Sequence, residues 1–466
     1  MQPCLALTNE GRVTEYNFLP EPNKPAYTLS EAVGEALRNF PSIRAARFKL
    51  KAAAAEITLA KTEYLPNLDV LAQEIFTSHN IVGGTIIPQI LDVIPIQSGN
   101  DTGNSMRGYW SSNQGVGVSW LALDFGLRRA NVKMAHAATT QAEQGLRLTE
   151  LDVAYQAAET YLDMVAAQQT IRAARATVDR MKANVLAVHT FVDKGLRPGV
   201  DASRADYELS ASRIGLIDAE QATELSRVDL AERMGVAGTY INIDSDPIVR
   251  APTPQFDARP VELSKHPLAL LRSAAVTTAK AKVHVIDKTW YPHLWLHGNM
   301  WGRGSNVPGS VGTTVAGGIL PQAANYMVGA SISFPIMDYF EIKAKRKRVF
   351  NEELAERANF DLAMQILGQK DARARVLLVE ARRVADETPI MVKAARENAV
   401  KTVERYKVGL ANIVNVSEAE RILARAEVDD AIAQVRVWKA ILATGYVQGD
   451  LKPFLKLVSA AEGKYH

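Results

Sequence analysis

Few residues in this sequence have the types and spacing that chemistry requires. One cysteine, Cys4, excludes an intramolecular disulfide framework and a cysteine-based zinc site. The eight histidines include no His-x-x-x-His pair on a helical face, so a metal site has no support. Gly-x-Ser-x-Gly, a phosphate loop and a dinucleotide fingerprint are all absent. The densest charge is "KAKRKR", Lys343 to Arg348, with a faint echo in Arg128-Arg129. Such a cluster can hold phosphate or open a solvated helix. The chain as a whole carries 54 Lys+Arg against 51 Asp+Glu, a net +3, so no bulk attraction to nucleic acid follows. What remains is a pair of acidic residues beside glycines. Asp193 stands two residues before Gly195, and Glu404 five before Gly409.

Those glycines sit in two stretches with one plan. "FVDKGLRPGVDASRADYELSASRI" begins at Phe191, and "RYKVGLANIVNVSEAERILARA" begins at Arg405. Gly195 and Gly409 are 409 − 195 = 214 residues apart. At that offset Asp201 meets Asn415, Ser203 meets Ser417, Ala205 meets Ala419 and Leu209 meets Leu423. Upstream, Trp120 meets Phe334 and Asp124 meets Asp338. Pro66 and Pro292 match at an offset of 226, so the first copy has about twelve extra residues in one loop. The 466-residue chain is two tandem copies of one unit.

From Gly126 to Val192 there is no proline and one internal glycine, Gly145. Apolar residues recur at Leu148, Leu151, Tyr155, Ala158, Leu162 and Val165, then in a shifted phase from Ile171 to Val188. This predicts a coiled-coil seam with a stutter, on a helix roughly 100 Å long. Gly195 and Gly409 are expected to end such helices in the left-handed conformation. Ser203-x-x-Asp206 and Ser417-x-x-Glu420 have capping-box spacing and are expected to open the return helices. Pro389, in the second long helix, is expected to kink it; Arg175 holds the matching place in the first.

Between the prolines and aspartates the period changes to two. "NLDVLAQEIF", "GVGVSW" and "YMVGASISF" alternate apolar with small or polar residues, which predicts strands near 66–76, 109–120, 292–301 and 325–334. Five of the six tryptophans lie in or beside them, and Trp110, Trp120, Trp290 and Trp301 are expected at a membrane interface. The alternation also fits a β-sandwich. Long Gly/Pro/Asn/Ser-rich loops join the strands of each pair. No apolar run reaches the eighteen or so residues of a spanning helix, and "MQPCLALTNEGRVTEYNF" lacks the pattern of a secretory signal. That start fits a cytoplasmic protein or a mature form.

The order helix, strand pair, long helix, glycine tip and return helix, given twice, resembles the TolC family of outer-membrane efflux and secretion channels. The resemblance runs from about Tyr27 to Leu451 and rests on "YTLSEAVGEALRNFPSIRAARFKLKAAAAEITLAKTEYLPNL", "WLALDFGLRRA" and "YKVGLANIVNVSEAE". It implies an α+β membrane protein that forms a homotrimer, with a 12-stranded β-barrel and a periplasmic α-helical barrel. It divides the chain into an extension 1–26, repeats 27–236 and 261–448, a connector 237–260 and a tail 449–466.

The resemblance further implies a passive exit duct without enzymatic activity or cofactor. Such a duct serves a tripartite efflux pump or type I secretion system. A periplasmic adaptor couples it to an inner-membrane transporter, and no nucleic acid is involved. Gly195 and Leu196, with Lys194 departing from the pattern, and Val408, Gly409 and Leu410 would meet the adaptor. Asp193 and Glu404 would form acidic rings at the aperture under three-fold symmetry. "KAKRKR" follows the last strand of its unit and would face inner-leaflet phosphates rather than nucleic acid. Cys4 is a candidate lipidated residue, though Met-Gln-Pro before it does not resemble a cleavage motif. A periplasmic adaptor and a soluble coiled-coil scaffold are the competing readings. The first predicts one hairpin flanked by small β-domains, and the second leaves the strands unexplained.

Overall fold

The computed structural model describes residues 26–78, 108–250, 262–306 and 318–465. Cys4 and the centres of both long strand-joining loops lie outside them. In order, the elements are α1 (Leu29–Asn39), α2 (Pro41–Thr62), β1 (Asn67–Ser78), β2 (Gly108–Leu123), α3 (Leu127–Asp193) and α4 (Gly199–Arg233). Then follow α5 (Asp246–Arg250), α6 (Pro267–Lys288), β3 (His293–Ser305), β4 (Ala323–Ser333), α7 (Tyr339–Lys407), α8 (Ile413–Val447) and α9 (Lys452–Tyr465). Two compact units result, and the cuts fall inside α2, α3, α6 and α7.

The unit of residues 50–141 and 273–358 holds the sheet. Its four strands are antiparallel in the order β1-β2-β3-β4, so β1 and β4 are each paired on one side among the described residues. Residues directly opposite in such a sheet share a face. Leu68 pairs with Val118 and Val70 with Val116. Val116 pairs with Met300 and Trp120 with Leu296. Met300 in turn pairs with Tyr326, Gly298 with Val328 and Leu294 with Ile332. The period-two residues therefore assemble into one apolar face, and it is open. Val70 is 77% exposed, Tyr326 82% and Val328 84%.

At the foot of the sheet the chain turns sharply into α3. Phe125 has φ +50° and Gly126 φ +96°, and Asp124 holds the turn. Its carboxylate accepts from the Gly126 N–H (3.0 Å), the Arg128 N–H (2.7 Å) and Arg128 Nε (2.9 Å). Burial disfavours the charged form, but these donors outweigh it and keep the carboxyl below its ordinary pKa.

The other unit, residues 1–49, 142–272 and 359–466, is helical at every described regular element. Its main core joins Tyr161, Leu162 and Val165 of α3 to Leu230 of α4, Trp438 and Ile441 of α8, and Phe454 and Val458 of α9. Each fully buried Leu or Phe there contributes about 1.5–3 kcal/mol. The connector enters this core through Ile241, Ile243 and Ile248, and Tyr27 bridges to Ile243. Lys452–Tyr465 form α9, in which Phe454 is completely buried.

Two expectations about helix ends need correction. Ser203 and Ser417 do not cap the return helices, because both helices begin earlier. The residue before α4 is Pro198, whose extended backbone (φ −69°, ψ 146°) leads into the helix with no side-chain cap. Before α8, Asn412 accepts from the Asn415 N–H (3.0 Å) and Asn415 Oδ1 accepts from the Asn412 N–H (3.2 Å). This is a capping box built from two asparagines. Helix α7 runs from Tyr339 to Lys407 with Pro389 inside it. Proline there still deprives the Ala385 carbonyl of its usual helical donor.

Candidate functional site

The two glycine turns of the helical unit are built alike. Gly195 has φ +70° and Gly409 φ +84°, the region where an L side chain is strained. In the first turn the Leu196 N–H donates to the Phe191 carbonyl (2.8 Å) and Gly195 to Val192 (2.9 Å). The second repeats this from Leu410 to Arg405 (2.8 Å) and from Gly409 to Tyr406 (3.1 Å). Both are Schellman closures, and they push the residues beside the glycine into solvent. Leu196 is 66% exposed, and Val408 and Leu410 are each 69% exposed. Apolar side chains so placed gain little from burial within the protomer.

Beneath the turns lies a small core of Val188, Ala205, Tyr406, Ile413 and Val416. Tyr406 is buried, and its hydroxyl donates to Asp201 Oδ2 (2.9 Å) on the first turn of α4. Burial and that bond to a carboxylate push the phenol up to about 12. The Arg197 guanidinium lies over the Tyr406 ring, 4.4 Å from its centre, and also donates to the Tyr406 carbonyl. Three side chains from two sequence repeats thus fasten one turn to the other. Farther along, Arg180 of α3 bonds Glu420 (3.2 Å) and Glu427 (2.9 Å) of α8, and Asn184 donates to Glu420 (3.3 Å). Arg396 of α7 shares Glu427 at 3.1 Å.

The anticipated gating acids lie elsewhere. Asp193 is exposed at the end of α3, and exposed Glu404 stands 3.8 Å from Lys407. Neither belongs to the Tyr406 cluster. The residues that do are Asp201, Arg197 and Tyr406, of which the repeat marks only Asp201. Their one visible signal was position, since all three flank the glycine turns.

The anticipated interface aromatics divide. Trp120 is on the open apolar face, and its indole N–H donates to the Tyr64 carbonyl (3.0 Å). Trp110 tilts against Phe76, with ring centres 5.2 Å apart. Trp290 lies outside the strands, edge-on to Phe334 and Tyr339 at 5.4 Å each. Trp301 pairs with Gly115 and so is on the face opposite Val116 and Met300. Nearness to a strand does not fix the side, whereas odd or even position does.

Among known proteins, the family described as outer membrane efflux protein matches residues 32–236. Protein CyaE of Bordetella pertussis is 23% identical over 403 residues, which is 84% of this chain and 77% of CyaE. The outer-membrane channel CmeC of Campylobacter jejuni superimposes with a TM-score of 0.73 at 16% identity, over 98% of both chains. CusC, described with transmembrane channel formation, gives 0.76 at 15% identity over 91% of this chain and 92% of its own. The chain matches the TolC-type outer-membrane channels in fold along its length, and the efflux-protein family in sequence over residues 32–236.

Proposed function

We propose that this chain is one protomer of a passive outer-membrane exit duct for efflux or secretion. The sheet carries the reading. An open, apolar face can be stable only in lipid or against a partner, and two unpaired edges cannot lie in lipid. Four strands enclose no lumen, but three copies of this four-stranded sheet would close one twelve-stranded barrel without edges. The helical unit would then extend into the periplasm. Its exposed glycine turns, with Leu196, Val408 and Leu410, would receive a periplasmic adaptor that couples the duct to an inner-membrane transporter. The contact of Tyr406 with Asp201 and Arg197 would hold the turns together until the adaptor docks. Asp193 and Glu404, brought into rings by three-fold symmetry, would favour cations at the mouth.

The sheet and the second hairpin have no place in a soluble coiled-coil scaffold, and an adaptor needs only one hairpin. Expression behind an outer-membrane signal, followed by density-gradient fractionation, tests the reading. Sedimentation with the outer membrane and release only by detergent are expected. Recovery in the soluble fraction, or release by salt or alkali, would overturn it.

A further inference from the structure

The face of β3 opposite the apolar one is unusual for a water-filled passage. On the other strands the corresponding residues include small ones such as Gly115, Gly117, Ser119, Gly329, Ser331 and Ser333. On β3, Trp295, His297, Asn299, Trp301 and Arg303 alternate with the lipid-side Leu296 and Met300. The rings of Trp295 and His297 lie nearly parallel, at 11° with centres 6.4 Å apart. His297 Nε2 meets Ser331 Oγ at 2.9 Å, while its Nδ1 is buried with no partner among the described residues. Asn299 is only 7% exposed, and neither its amide oxygen nor its amide nitrogen has a partner there. A buried amide can offer two donors and an acceptor, so leaving all of them unused is unfavourable.

The register places no bulky neighbour on the β2 side of Asn299. On its own row stand Asp69, Gly117 and Met327, and Gly117 places no side chain between Asp69 and Asn299. On the next row His297 pairs with Gly329, whose missing Cβ would meet no atom within 4 Å. Same-face residues along a strand are roughly 7 Å apart, so Trp301 and His297 flank the amide at the reach of one six-membered ring. Flat aromatic walls around an unsatisfied amide suit a solute with an apolar face and a hydrogen-bonding edge.

We propose that the β3 row His297–Asn299–Trp301 is a cargo-contact site on the lumen wall, repeated three times in the assembled duct, for neutral ring compounds with a polar edge. Sugars and planar heteroaromatics share that chemistry. The inference rests on the exit-duct reading, because it takes this face as the lumen. Its test uses the detergent-solubilised protein, with the trimer verified by light scattering, and saturation-transfer NMR with maltohexaose, adenosine and the ring-free polyol sorbitol.

Transfer to maltohexaose or to adenosine is expected, with none to sorbitol. The signal should fall at least fivefold in Trp301→Ala and in Asn299→Leu, and persist in Trp301→Phe. Signal from maltohexaose alone would assign the site to sugars, and from adenosine alone to heteroaromatics. Equal transfer in wild type, Trp301→Ala and Asn299→Leu, or equal transfer to sorbitol, would overturn the site and leave the duct standing. No transfer to either ring compound would mean that water alone satisfies Asn299. Failure to form a trimer would instead count against the duct itself.

Discussion

At the scale of single residues, two tyrosine and histidine environments make opposite demands. Tyr406 ties α7 to α4 through a buried bond to Asp201, and a bond to a charged group contributes about 1.5–3 kcal/mol. Tyr406→Phe is expected to lower the melting temperature and to loosen the turns. In reconstituted membranes it should raise single-channel conductance, and unchanged conductance would remove the gate from Tyr406. His266 is buried neutral, with Nε2 donating to the Tyr446 carbonyl (3.1 Å) and Nδ1 accepting from the Leu268 N–H (3.1 Å). Burial lowers its pKa against the opposing pull of the Tyr446 carbonyl; Lys370 lowers it further and Asp152 raises it. The unfolded chain takes up a proton near pH 6.5 that the folded chain refuses, so this contribution is full above that pH and shrinks as pH falls. Melting temperatures between pH 8 and pH 5 should decline more steeply for wild type than for His266→Gln.

At the scale of elements, the hairpins are held by polar links as much as by packing. Glu420 is buried and leans on Arg180, so removing the guanidinium strands a carboxylate in the interior. Arg180→Ala should cost about 3–5 kcal/mol, and adding Glu420→Gln should restore part of it. Denaturant melts of both single variants and the double variant would check this, and a double-variant loss equal to the sum of the two single losses would mean that the pair does not couple. Much at this scale was legible in the sequence. Alternation at Val116, Val118 and Trp120 marks a strand because a pleated sheet has period two, and Gly195 and Gly409 mark turns because only glycine enters that region cheaply. The caps were not legible. Ser203 has the right spacing to Asp206 but the wrong place, since spacing cannot tell a helix start from its second turn. The Tyr406–Asp201–Arg197 cluster was hidden for a different reason. Tyr406 lies about two hundred residues from Arg197 and Asp201, and it meets them only when the hairpins pack.

At the scale of the molecule, a protomer alone leaves β1 and β4 each paired on one side among the described residues, with an apolar face uncovered. Val328 is on that face and 84% exposed. A lysine at the bilayer midplane of a barrel costs about 2–4 kcal/mol. Val328→Lys is therefore expected to lower the yield of outer-membrane protein, whereas Ser331→Lys on the opposite face should be tolerated. Equal yields would place Val328 away from lipid. The proposed duct requires three copies to share one barrel. Electron microscopy of the detergent-extracted protein tests it most directly. A three-fold particle with a detergent belt around one end and a helical stem at the other is the expected result; a monomer, or a particle without a detergent belt, would contradict the account.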